Sequence, residues 1–275
     1  MTILLAVIAP IVIGFGDHIG VGVSRKTGRP MVLVLWIYIA SIPFTAAIAF
    51  FLGGTPTFAD LAAGAGAGVF SALALMALYK GYSTSGVGVV ASVAAVTGAV
   101  VPVTAATILD GLPSGFVQLG LGVGIFALWL IGFDRSSVSI DRQGLIFGSV
   151  AGLTFGAMSV MLGLTNETSG IFPLLAARAT SVPLILAILG LRAVSPRPGA
   201  GWLKPLSIIG TAAAIGAVAF TIAAQRNLAV AGLFMQMAYG FTLLFRVLFA
   251  NDRVTRQQVI GFGLAIVSLT MISLG

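Results

Sequence analysis

Long apolar runs separated by short polar breaks organise this chain, and the runs share one length. The first occupies about residues 2–23, holding only Asp17 and His18 as titratable groups, and the basic stretch 24–30 closes it with Arg25, Lys26 and Arg29. Four more follow at about 31–52, 61–79, 87–109 and 116–133. After a polar stretch at 134–143 come runs at about 144–162, 171–191, 205–224, 229–249 and 257–274. A helix needs roughly 20 residues to cross about 30 Å of hydrocarbon. The pattern therefore predicts an all-α integral membrane protein with ten transmembrane helices, divided into a first five-helix repeat (1–133), a linker (134–143) and a second five-helix repeat (144–275).

Composition agrees with this pattern and removes several functions. Of 275 residues, 59% are hydrophobic and 8% charged, whereas a water-soluble domain covers its surface with about a quarter charged residues. With no cysteine and one histidine, disulfides, thiolate chemistry and a histidine-rich metal site have no residues to build them. No cofactor and no enzyme chemistry are expected. The net charge of +7 is spread over short loops, which suits lipid headgroups and not nucleic acid. The first run lacks a basic leader and a clear cleavage site, so it is expected to stay as a span.

The two halves carry matching residues in the same order. Phe15 and Gly16 correspond to Phe155 and Gly156, and Ser41 and Pro43 to Ser181 and Pro183. Ala77, Lys80 and Gly86 correspond to Ala223, Arg226 and Gly232, and Gly120 and Gly122 to Gly261 and Gly263. An odd number of spans per repeat forces opposite orientations in the bilayer, the inverted-repeat layout whose substrate site lies near the midplane. Eleven of the 14 Lys and Arg fall in the connections after spans 1, 3, 5, 7 and 9, while Arg226 alone lies on the other side. By the positive-inside rule this bias directs both termini outward.

Several local patterns are similar to the EamA-type, ten-helix members of the drug/metabolite transporter superfamily. They are Gly14-Phe15-Gly16-Asp17 with Gly20 in span 1, Ala77-Leu78-Tyr79-Lys80-Gly81-Tyr82 ending span 3, and Val101-Pro102-Val103 in span 4. Asp110 with Gln118 and Gly120, and Asp252 with Gln258 and Gly261, stand where the family has an acidic residue and a Gln-x-x-Gly helix start. The chain departs from that pattern in having Asp where Glu is usual, Phe15 where Trp is common, and no proline in span 9. The resemblance implies a secondary transporter in a bacterial-type inner membrane, exporting or exchanging a small polar or amphipathic metabolite, with amino acids a leading class. It also implies cytoplasmic termini, against the charge count, and orientation stays open between the two.

Candidate site residues follow from charge at depth. Asp17 is the one carboxylate well inside a span, and Arg178 lies eight residues into span 7. Ionised groups there are costly unless they face a cavity, a partner or a ligand. Together they suit a zwitterionic substrate, or they neutralise one another; Lys80 is a further partner open to Asp17. Tyr38, Tyr79, Gln236 and Tyr239 are the accompanying pocket residues. Protons are the candidate coupling ion, with Asp17 and His18 the groups to carry them, although His18 also reads as a packing residue. Pro43 and Pro183 are candidate hinges. Trp36 reads as an interfacial belt residue and Arg246 as a snorkelling one. The glycine clusters at 64–68 and 120–124 lack the strand and lysine of a nucleotide loop and read as close helix contacts. Uptake of a sugar or other neutral solute is the alternative within transport, and a non-transporting scaffold or lipid-modifying enzyme the alternative outside it. Substrate, flux direction and oligomeric state are left open by the sequence.

Overall fold

The computed structural model describes residues 2–85, 87–132, 142–199, 201–250 and 256–274. Among them the elements are helical: α1 (Thr2–Thr27), α2 (Pro30–Leu52), α3 (Phe58–Thr84), α4 (Val87–Asp110), α5 (Gly115–Gly132), α6 (Arg142–Gly163), α7 (Phe172–Leu191), α8 (Leu203–Arg226), α9 (Leu228–Met235), α10 (Met237–Ala250) and α11 (Arg256–Leu274), with one 3-10 turn at Glu167–Ser169. Most of the linker expected at 134–143 lies outside the described residues, as do Gly86 and Asp252, and Arg142 and Gln143 already belong to α6.

Eight segments have the length and apolar composition to cross a membrane: α1, α2, α3, α4, α6, α7, α8 and the α9–α10 pair taken as Leu228–Phe249. α5 and α11 contain shorter apolar stretches, Gly115–Leu130 and Val259–Ile272. This helix set is what a multi-pass membrane protein requires. Large apolar side chains point outward at many places, among them Phe51 (89% exposed), Phe58 (88%) and Leu191 (90%). In water such a surface would drive association, whereas against lipid tails it is matched.

Helix ends differ from the pattern-based expectation where local chemistry extends them. α3 starts at Phe58 because Thr57 and Asp60 form a capping box, the Thr57 hydroxyl accepting from the Asp60 N–H while the Asp60 carboxylate accepts from the Thr57 N–H. It continues to Thr84 through residues expected as loop. The run expected as one helix at 229–249 is divided at Gln236, whose backbone N–H turns to Leu233 O at 3.2 Å, three residues back, in the manner of a 3-10 turn.

Packing runs across the two halves of the chain. α3 lies against α6 and α7, and α8 lies against α1 and α2; α4 packs on α6, and α1 on α9 and α10; α5 packs on α11. Small residues permit this closeness. On α6, Gly148, Gly152 and Gly156 recur every four residues against α4, and a Cβ at Gly148 would come within 2.9 Å of the Val90 carbonyl. On α3, Gly64 rests on the backbone of Pro173 at the start of α7, leaving no room for a side chain.

Candidate functional site

At the centre of these contacts is a cavity of about 100 Å³, several times the roughly 10–15 Å³ one water occupies on the same measure. α1, α2, α3, α6, α7, α8 and the broken α9–α10 helix line it. Its wall is mainly apolar, with Leu75, Phe155, Met158 and Phe220 among the larger groups, and its polar members are Asp17, Tyr38, Ser71, Arg178, Gln236 and Tyr239.

Asp17 is 9% exposed, and its Oδ1 accepts a hydrogen bond from the Tyr79 hydroxyl at 2.9 Å. Gly20, one turn along α1, makes room for that phenol: a Cβ at this position would overlap the Tyr79 hydroxyl. Tyr79 stands behind Asp17 and does not itself line the cavity. Its ring meets Tyr82 edge-on at 6.1 Å.

Arg178 is 5% exposed and stacks its guanidinium over the Tyr38 ring, 4.5 Å from the centroid. The Tyr38 hydroxyl is hydrogen-bonded to Ser71, which ties α2 to α3 beneath the arginine. Two hydroxyls fix α7 against α3 at this level: Thr180 donates to Ala65 O and Ser181 to Gly68 O, both at 2.8 Å. Arg178 Nε has no hydrogen-bond partner, and no described carboxylate forms a salt bridge with this side chain. Asp17 and Arg178 therefore share one cavity without forming an ion pair. Lys80 does not pair with Asp17 either.

Gln236 is 1% exposed at the helix break, its Nε2 facing Gly232 O at 3.4 Å and its amide packed against Gly98 of α4. The Tyr239 ring meets Phe155 edge-on at 6.4 Å. Of the expected pocket residues, Asp17, Arg178, Tyr38, Gln236 and Tyr239 thus reach one cavity, with Tyr79 in the layer behind.

His18 is not brought there. It is half-buried on another face of α1, its ring 5.9 Å from that of Phe249, because adjacent helical residues point about 100° apart. Pro43 and Pro183 lie inside α2 and α7 on their exposed sides, five residues beyond Tyr38 and Arg178. Trp36 donates its indole N–H to Pro196 O at 2.7 Å. Ser71 is a site residue that pattern reading passed over. In span 3 it is the one serine among alanines, glycines and leucines, and only the fold sets Tyr38 opposite it.

No family model matches the chain, and no curated protein sequence matches it. By fold it is similar to a protein of known crystal structure that is 13% identical in sequence, with 99% of this chain and 96% of that one covered at a TM-score of 0.77. At that identity the likeness is one of architecture alone.

Proposed function

We propose that this protein is a secondary transporter of the drug/metabolite type, which carries a small amphipathic zwitterion, such as an amino acid, by alternating access in a bacterial-type inner membrane. The observation that carries the reading is the cavity with Asp17 and Arg178 in its wall, both buried and not paired to each other. A buried charge without a counter-charge costs several kcal/mol, and a ligand bearing one ammonium and one carboxylate offsets both at once. The guanidinium offers a planar fork to a carboxylate, and the apolar remainder of the wall suits a hydrocarbon side chain.

Ten spans in two inverted five-helix repeats complete the proposal. Three facts support it. The packing pairs named above exchange with one another when α1–α5 are swapped for α6–α11: α3 on α6 and α7 becomes α8 on α1 and α2, and α4 on α6 becomes the α9–α10 pair on α1. The basic residues keep their bias to one set of connections. A helix broken in the cavity wall, as at Gln236, is a recurring element of transporter sites.

The test is counterflow of labelled neutral amino acids in proteoliposomes. The reading requires saturable exchange by the wild type and its loss in Asp17→Asn and in Arg178→Ala. Wild-type exchange rates in both variants would refute it.

A further inference from the structure

One end of the bundle is closed by a polar joint between the two halves, built on one buried carboxylate. The turn after α2 (residues 53–57) and the connection between α6 and α7 (164–171) meet there, and the Thr55 N–H donates to Thr168 O at 2.8 Å. The Asp60 carboxylate, 3% exposed, takes the Asn166 N–H and side-chain amide on one oxygen, at 2.9 and 3.0 Å. Its other oxygen takes the Thr57 hydroxyl and N–H, at 2.6 and 3.0 Å. Within the second half, Gln225 Nε2 at the end of α8 braces the same connection through Thr165 Oγ1, Asn166 O and Gly170 O at 2.9, 3.2 and 3.0 Å, and Arg226 Nε pairs with Glu167 at 2.9 Å.

The joint at the opposite end is exposed and is not built on a buried carboxylate. The connection between α1 and α2 and the start of α2 meet residues 193–199 after α7. Among the described residues, the bonds between the halves there are Arg29 to Ser195 O and Trp36 Nε1 to Pro196 O, each 2.7 Å and solvent-exposed, and within the first half Arg25 Nε donates to Tyr82 O at 3.2 Å. Residues 193–198 are exposed, and Ala193 has a φ of +51°, a conformation few residues with a Cβ adopt.

These are the same contact made twice. Exchanging the halves turns the α2–α3 turn into the α7–α8 connection and the α6–α7 connection into the α1–α2 loop. Among the described residues, the first copy crosses between the halves with three bonds, two of them from Asn166 to the buried Asp60 carboxylate, and the other crosses with two exposed bonds that water can replace at little cost.

We propose that the two joints are the gates of the transport cycle: the Asp60–Asn166–Gln225 joint is the locked gate of this conformation, and the Arg29–Trp36 joint is the one that releases more readily. Breaking the first frees its end to open and drives the second to close. This rests on the transporter reading above.

The native chain has no cysteine, so pairs can be introduced into it directly. Thr55→Cys with Thr168→Cys reports the first joint and Lys26→Cys with Arg197→Cys the second, both at exposed positions, by the rate of cross-linking with a short bismaleimide in lipid nanodiscs. Adding Asp60→Asn, or Asn166→Ala should the first variant fold poorly, should slow the first cross-link about tenfold, the population shift expected from losing a charge-assisted hydrogen bond, and speed the second. Rates that stay unchanged at both joints, or move in the same direction, would overturn the proposal. Flux in vesicles separates this from the reading beneath it. Reciprocal rates in a protein that carries no solute would leave two coupled joints and remove the transporter, whereas flux with unmoved rates would remove only the gates.

Discussion

The Tyr79 hydroxyl donates to Asp17 Oδ1 at 2.9 Å, joining α3 to α1 at the one carboxylate in the cavity wall. Tyr79→Phe removes the single described hydrogen bond to that group and leaves the phenyl ring in place. A bond to a buried charged group is worth about 1.5–3 kcal/mol, so thermal denaturation in detergent should register a loss of that order. Exchange in vesicles should fall with it.

Gly20 gives an independent route to the same defect. A methyl group there meets the Tyr79 hydroxyl, so Gly20→Ala displaces the phenol from Asp17 without altering either residue. The account expects Gly20→Ala to match Tyr79→Phe in exchange rate, and the double variant to be little worse than either single one, since both remove one interaction. Additive losses would mean that Gly20 acts elsewhere.

For Arg178 the account separates the ring below it from the charge itself. Tyr38→Phe keeps the ring 4.5 Å under the guanidinium and loses the hydroxyl's contacts with Ser71 and with Arg178 itself, while the charge stays in place, so zwitterion affinity should change by no more than about tenfold. Arg178→Lys retains the charge but not the planar fork, and its loss should exceed that of Tyr38→Phe. Isothermal titration of the purified variants with the exchanged amino acid reads both.

Gly64 lies on the Pro173 backbone where α3 crosses the start of α7. Because backbone gives way less readily than a side-chain tip, Gly64→Ala must separate the helices and should cost about 1–3 kcal/mol. Gly22 of α1 has open space around its Cβ position, and Gly22→Ala should leave the melting temperature unchanged or raise it slightly. Comparing the two melts separates helix contact from a general effect of adding a methyl group.

Much of this arrangement was legible in the residues. Apolar runs delimit the helices to within a few residues because each must cover about one bilayer thickness, and Asp17 and Arg178 stand out because charge at depth demands a reason. Other features depend on tertiary contacts that no local signal carries. The break at Gln236 has neither Gly nor Pro beside it, only Met235 and Met237. Ser71 gains its role from Tyr38 on another helix. Trp36 reads as a belt residue by its distance from a loop, and the segment that accepts its N–H lies 160 residues away. Asp60 reads as the edge of a loop, yet its carboxylate also closes on Asn166, 106 residues on.

The central claim is that Asp17 and Arg178 each meet one charge of the same ligand. Its most direct test is counterflow of a labelled neutral amino acid alongside its decarboxylated amine and its deaminated acid, in wild type, Asp17→Asn and Arg178→Ala. The account predicts that the wild type exchanges the zwitterion faster than either fragment. It further predicts that Asp17→Asn loses more against the amine than against the acid, and that Arg178→Ala shows the reverse. Equal losses for all three solutes in both variants, or no loss in either, would contradict it.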